Sequence, residues 1–457
     1  MSNVFWSNQT QGNGDITHED EMDISEMVRL VRETMGEEPK LLKKTAGRES
    51  CSIFRVPPSI MKIHPEAFQP QILSIGPYYH GEKRLHMIEE HKRRFLAVVL
   101  SRTQAFGVGL EDFFRAIHGK VDEIKNCYSE AIQCSNRELI QMMVIDGCFI
   151  MELVCVVGRL VETPDIYEAL FKLPWILNFL SRDLLRLENQ IPFFVIQILF
   201  GLSFPNNSTT LTDLVMDFFD YSMQRTDWDT YKSYKGKHLL DLIRSTFIPS
   251  FKRKRDDDDF DAADNGFLQR IQPVERLRAA GIKLKRKKDA ESFLEVTFTP
   301  INGILEIAAL QTDDFMSSFL LNCVAFEQCY GSYCLTHFTS YVNFMGFLIN
   351  SSSDAGYLRD QGIIENYFGT DEQVVKFFNI AGKDLFLDLN KSYLKEVLED
   401  VNEYYRNEWH VQWARFNYNY FRTPWTFLSA LAAFILVFFT IVQSFMSVFA
   451  YVKPPHQ

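Results

Sequence analysis

The sequence predicts a mainly α-helical protein: one large helical domain carrying a short β-hairpin, followed by one C-terminal transmembrane helix. Three observations predict it. Apolar runs recur at helical spacing, strand-like alternation is confined to a stretch around residue 300, and no charged residue stands between Thr423 and Val452. At 457 residues, 46% hydrophobic and 23% charged, the chain is too apolar for a disordered protein. Forty Phe against 16 Pro and 22 Gly exclude collagen-like and linker-dominated classes. A net charge of −11 argues against a general nucleic-acid binder, which needs a basic surplus to neutralise phosphates. A mean hydropathy of −0.12 excludes a polytopic membrane protein but leaves room for a single span.

Residues 1–50 read as a mobile arm with one amphipathic helix from Ile24 to Met35, in which Ile24, Met27, Val28 and Val31 share a face. The arm lacks the basic start and apolar run of a secretory signal, so no cleaved leader is expected. The helical domain then extends over residues 51–420. Arg55-Val56-Pro57-Pro58 and Ser74 to Tyr78 are extended or turn segments, because Pro biases its predecessor away from the helical region. A helix follows from about Leu85 to Ser101. Leu139 to Leu160 is the most apolar internal run, yet Asp146 and Glu152 would each cost roughly 2.5–3.5 kcal/mol near a bilayer centre, so it is expected to be a buried core helix. Cys148 and Cys155 in that run read as small core residues, and the eight cysteines form no Cys-x-x-Cys pair.

The apolar stretch from Leu184 to Leu202 is interrupted by Glu188-Asn189-Gln190, and Pro192 suits the first turn of a new helix. Residues 204–265 read as a variable loop containing Lys252 to Arg255 directly before Asp256 to Asp259. That charged block and the basic run at 283–288 are expected to be solvated loops. Phe293 to Phe298 and Ile304 to Ile307, separated by Pro300-Ile301-Asn302-Gly303, make the hairpin. Helices resume from about Asp314 to Asn350 and from Asp371 to Phe416.

The span itself is assigned to residues 423–452. Thirty residues at about 1.5 Å each exceed the ~30 Å hydrocarbon core, and fifteen Phe, Leu, Ile or Val favour insertion by roughly 4–9 kcal/mol. Arg422 and Trp425 at one end, with Tyr451 and Lys453 at the other, are the expected membrane-interface residues. With residues 453–457 as a short tail, the reading is a tail-anchored, single-pass protein of the plasma membrane or endoplasmic reticulum whose N-terminal domain is cytosolic. The expected partners are the lipid bilayer and a protein; nucleic acid is not among them.

No pattern specifies a reaction. His86 and His91 are five residues apart, which places them some 140° apart around a helix, too divergent for a zinc-protease pair. Gly107-Val108-Gly109 lacks the third glycine and the preceding strand of a dinucleotide site. No cofactor or metal is expected. The candidate pocket residues are Asp146, Glu188, Asn189, Asp313, Asp314 and Glu327, carboxylates and an amide set among apolar runs. For Asp314 a helix N-cap before Phe315 explains the residue better than chemistry does.

Taken together, the short segments resemble a plant family known as domain of unknown function 247. The resemblance rests on Ile53-Phe54-Arg55-Val56-Pro57, Ser74-Ile75-Gly76-Pro77-Tyr78-Tyr79-His80-Gly81, Glu89-Glu90-His91-Lys92, Asp146-Gly147-Cys148-Phe149-Ile150, and Asp183-Leu184-Leu185 through Glu188-Asn189-Gln190-Ile191-Pro192-Phe193-Phe194. It continues in Thr312-Asp313-Asp314, Ala325-Phe326-Glu327-Gln328, Ser340-Tyr341 with Phe344-Met345, and Tyr420 to Trp425. Tyr79 stands where the family commonly has His, Ala308 where Pro is usual and Gly346 where Asp is usual. The resemblance implies a mainly helical plant protein with a C-terminal membrane span and no activity established for the class. Some grass relatives are implicated in pollen self-incompatibility, which points to recognition. The expected function is therefore a membrane-anchored recognition or signalling module; the alternative is a membrane-bound enzyme with a carboxylate-lined pocket.

Overall fold

The computed structural model describes residues 18–37, 39–163, 168–205, 207–223, 234–248, 270–407 and 424–452. In chain order the main helices are α1 (His18–Met35), α2 (His86–Thr103), α3 (Leu110–His118), α4 (Asn136–Val157), α5 (Pro174–Leu184), α6 (Phe193–Ser203), α7 (Leu211–Met223) and α8 (Leu239–Phe247). They continue as α9 (Val274–Ala279), α10 (Asp314–Tyr330), α11 (His337–Leu348), α12 (Ser352–Asp360), α13 (Asp371–Ala381), α14 (Lys395–Arg406) and α15 (Pro424–Val452). The strands are β1 (Lys283–Lys287), β2 (Val296–Thr299), β3 (Ile304–Ala308), β4 (Leu310–Thr312) and β5 (Ile364–Asn366).

α4 forms where it does because Ser135 and Glu138 cap its start reciprocally. The Glu138 amide donates to Ser135 Oγ at 3.2 Å, and the Ser135 amide donates to the Glu138 carboxylate at 2.8 Å. The turns that follow are apolar on nearly every side, and α2, α3, α6 and α7 pack around them. Gly147 lets α6 approach closely: a Cβ there would meet Leu199 Cδ1 at 2.5 Å. The core-helix reading of this run holds, and Cys148 and Cys155 are buried within it. A second cluster of helices gathers around α10 and α11, with α13 against α11 and α8 against α10. Its core is aromatic. Phe319 and Phe338 meet edge-on at 5.7 Å, Phe247 lies 5.4 Å from Phe319, and Phe293 lies 5.5 Å from Tyr341.

The expected hairpin is present as β2 antiparallel to β3, with Val296 opposite Ile307 and Thr299 opposite Ile304. It has a third strand. The basic run at 283–288, expected as a loop, contributes β1, which pairs in parallel with β3 from Lys283↔Ile304 to Lys287↔Ala308. Leu284 alone among these side chains is fully buried, so one apolar residue among cations hid the alternation. β4 and β5 form a second, parallel pair that the sequence reading did not contain.

Three other boundaries change. α7 and α8 stand inside the stretch read as a variable loop; the charged block at 252–259 lies outside the described residues. α7 starts from a reciprocal cap between Thr210 and Asp213, at 3.2 and 3.0 Å. The helix expected from Asp371 to Phe416 is broken between Ala381 and Lys395. Residues 40–46 belong to the domain rather than to an arm: the Lys43 amide donates to Ser129 O at 2.7 Å, the Ala131 amide donates to Lys40 O at 2.8 Å, and Ala46 is buried.

α8 is held at its start by His238, which is fully buried. Its Nδ1 accepts the Asp241 amide at 3.3 Å, while Nε2 lies 3.0 Å from Ser52 O, the arrangement of a neutral ring with its proton on Nε2. Burial pushes the imidazole down to about 4. The unfolded chain takes this proton near pH 6.5, so the ring's contribution is complete above that pH and is lost as pH falls towards 4, a change of ~3 kcal/mol at most. The stability gap between the wild type and His238→Gln, measured by urea unfolding, is expected to narrow between pH 7 and pH 4.5. A gap that stays constant over that range would show that the ring does not titrate.

Candidate functional site

Residues 69–81 run between the two helix clusters without a strand partner, so their buried backbone groups must be satisfied by side chains. α4, the end of α5 and the turn behind it provide them. Asp183, in the last turn of α5, accepts the amides of Gln71, Ile72 and Leu73 at 2.9, 2.8 and 3.0 Å. Asn189 accepts the Ile75 amide at 2.7 Å and donates to Leu73 O at 3.0 Å. Asp146, from α4, accepts the Gly76 amide at 2.8 Å. Gly76 has φ +72°, and a Cβ there would meet Gln190 O at 2.5 Å, so only glycine fits.

Cations sit inside the same seam. Lys92, on α2, is fully buried; its Nζ lies 2.7 Å from Asp146 and also donates to Ser74 O and Glu89. Arg186 is fully buried too, with Nε 2.9 Å from Asp183 and Nη1 donating to Glu66 O at 2.6 Å. Burial pushes both Asp146 and Asp183 up; Lys92 and the Gly76 amide pull back on the first, Arg186 and three amides on the second. Gln190 extends the seam to α8 by donating to Leu184 O and Arg186 O at 2.7 and 2.8 Å and accepting the Leu240 amide at 3.2 Å.

The seam reaches the surface through Arg55, the partner of the buried Glu188. One carboxylate oxygen accepts the Val56 amide at 2.7 Å; the other takes Arg55 Nη1 at 2.8 Å and the Tyr79 hydroxyl at 2.7 Å. Arg55, 37% exposed, stacks over Tyr78 at 4.1 Å and reaches Glu130 at 3.5 Å. Tyr79 therefore takes up the position as a hydroxyl donor to Glu188.

Of the six candidate residues, the fold brings Asp146 and Asn189 to the backbone of residues 73–76 and Glu188 to the Val56 amide and the Tyr79 hydroxyl beside it, and sends the others elsewhere. Asp313, not Asp314, is the N-cap of α10, accepting the Met316 amide at 2.7 Å; Asp314 is the first helical residue, and its carbonyl takes Arg182 Nη2 at 3.3 Å. Glu327 is buried on α10, where Arg244 binds it at 3.2 and 3.0 Å. It also accepts the amides of Phe338 and Thr339 at 3.1 and 2.8 Å, capping α11. Arg422 and Lys453 lie outside the described residues; Trp425 and Tyr451 stand in the first and last turns of α15. Sequence reasoning passed over Asp183, Arg186 and Lys92 as site residues. The signal was an Asp and an Arg three residues apart in a Leu-rich run, and a Lys three residues after Glu89.

Fold and site together define a helical domain locked by a buried polar seam and followed by a free-standing apolar helix. The chain belongs to the family known as domain of unknown function 247, described as a plant protein of unknown function, whose profile matches residues 53–439. It is 37% identical to a UPF0481 protein of Arabidopsis thaliana over 436 residues, 92% of this chain and 90% of the relative. A second Arabidopsis UPF0481 protein is 23% identical over 88% of this chain and 91% of its own length. No solved structure matches the chain.

Asp183→Ala leaves Arg186 buried without its counter-ion and removes the acceptor of three amides, so it is expected to cost about 3–5 kcal/mol. Asp314→Ala, at an exposed first-turn position, is expected to stay within about 0.5 kcal/mol of the wild type. Urea midpoints of the two variants check this contrast, and equal midpoints would remove the seam from its structural role.

Proposed function

We propose that this protein is a single-pass, membrane-anchored module whose helical domain recognises a protein partner. One observation carries the anchoring. α4 and α15 are both long and apolar enough to cross a bilayer, yet the α4 run is 83% buried in the domain, whereas the Leu431–Val448 run of α15 is 0% buried. Phe434, Leu436, Phe439, Ile441, Phe445 and Val448 all face outward. An apolar surface of that length is unfavourable in water, and hydrocarbon is the solvent that suits it. α4 differs in kind: its acidic residues are matched inside the protein, Asp146 by Lys92 and Glu152 by Arg102 at 3.0 and 2.7 Å.

Recognition is favoured over catalysis by the way the candidate carboxylates are used. Asp146, Glu188 and Glu327 spend their oxygens on amides, hydroxyls and cations, and Asp313 caps a helix. Groups committed in this way position backbone rather than move protons. The anchoring has a direct test. A chain lacking residues 424–452 should leave the membrane fraction on a carbonate wash while the full chain stays; pelleting of the shortened chain would overturn the assignment of the anchor to α15.

The domain's side of the membrane is proposed to be cytosolic. Asn207 and Asn350 are exposed and begin Asn-x-Ser/Thr triplets, as does Asn206, which lies outside the described residues. On the lumenal side such sites would be open to glycosylation. Protein expressed in plant cells is expected to show no mobility shift on glycosidase treatment. A shift abolished by changing Asn206, Asn207 and Asn350 to Gln would place the domain outside the cytosol.

A further inference from the structure

Three features meet at one pole of the three-stranded sheet. The first is the turn between β2 and β3, where Ile301 is 92% exposed, an apolar side chain held at a hairpin tip. The second is the start of β1. Because β1 runs parallel to β3, Lys283 lies level with Ile304 beside that turn, and its amide donates to Gly303 O at 2.8 Å. Lys283 and Lys285 are both exposed; Glu306 is the register partner of Lys285.

The third feature is the end of α14. This helix runs along β2 towards the turn: the Tyr393 hydroxyl, just before it, donates to Leu294 O at 2.7 Å. Near its far end Tyr404 meets Phe298 at 5.7 Å and covers Gly303, where φ is +59° and a Cβ would meet the Tyr404 hydroxyl at 2.5 Å. Of the exposed carboxylates of α14, Glu396, Glu399 and Asp400 precede the last turn and only Glu403 belongs to it. α14 therefore ends, at Arg406, two residues past the Tyr404 that covers Gly303 in this turn. Residues 407–423 then separate that point from Pro424, at which α15 begins, a stretch of 17 residues that reaches at most roughly 60 Å.

We infer that this pole is the membrane-facing surface of the domain, with Ile301 seated at the acyl boundary and Lys283 and Lys285 against the headgroups of anionic lipids. The inference rests on the membrane reading of α15 and goes beyond it by giving the domain a fixed orientation. An exposed apolar tip beside cations is the pairing an anionic bilayer takes up, and attachment through α15 raises the local concentration of that bilayer at the pole.

The test uses the full chain, in detergent and in nanodiscs of phosphatidylcholine with phosphatidylserine, with acetylation of exposed lysines followed by mass spectrometry. In the discs Lys283 and Lys285 are expected to label several-fold more slowly than in detergent, while Lys62 and Lys383, exposed elsewhere on the domain, label at unchanged rates. Ile301→Asp, a change at an exposed turn, is expected to return Lys283 to its detergent rate. Equal rates for Lys283 and Lys285 in discs and detergent would overturn the orientation while leaving the anchor standing. A chain that does not co-elute with the discs at all overturns the anchor, and the orientation with it.

Discussion

The requirement that buried backbone amides find acceptors shapes this domain more than any single apolar contact. The segment from Gln71 to Gly76 passes between two helix clusters with no neighbouring strand, and its amides are taken by Asp183, Asn189 and Asp146. Each acceptor then imposes a further demand, because a buried carboxylate is costly unless a cation or several donors face it. Lys92 and Arg186 meet that demand at zero exposure, and Gln190 ties the arrangement to α8. The seam thus runs through the same apolar core that packs these helices together.

The contrast between α4 and α15 shows how two apolar helices of one chain come to different ends. α4 carries Asp146 and Glu152, and each has a matched cation on α2, so the helix is bound to a protein environment. Gly147 adds a steric reason, since the close approach of α6 occupies the space a side chain would need. α15 has no ionisable group within its central run and, among the described residues, no packed neighbour. Composition alone places both helices in one class; the two acidic residues separate them.

Much of the helical architecture was legible. The α4 run was read as core from the cost of its two acids in a bilayer, and the hairpin was read from the alternation between Phe293 and Ile307. Family resemblance and structure converge on the same segments, and Ser74 to Tyr79, Lys92, Asp146 and the stretch from Asp183 to Gln190 become neighbours in the seam. What stayed hidden has physical causes. β1 reads as a solvated basic run because its only buried side chain is Leu284, and β4 and β5 are three residues each, too short for a period to appear. α7 and α8 were masked by the charged, irregular sequence around them. At the site, Asp313 and Asp314 differ by one position, and only the backbone geometry tells which of them caps α10. Asp146, Glu188 and Asn189 come together through backbone hydrogen bonds between residues far apart in sequence, which no local pattern encodes.

The separation between the seam's donors and acceptors also bears on how the chain assembles. The amides of residues 71–73 wait for an acceptor more than a hundred positions later at Asp183, and Tyr330 and Tyr333 close back on the carbonyls of Glu49 and Gly47. During synthesis the first third of the polypeptide therefore leaves the ribosome with these groups hydrogen-bonded to water, and the native partners of the amides are complete only once Gln190 has emerged. Order of this kind lengthens the search for the native state, because distant loops must close before the contacts that reward closure exist. The interval in which those groups lack their native partners ends only when Tyr333 has been added, with the chain about three-quarters made.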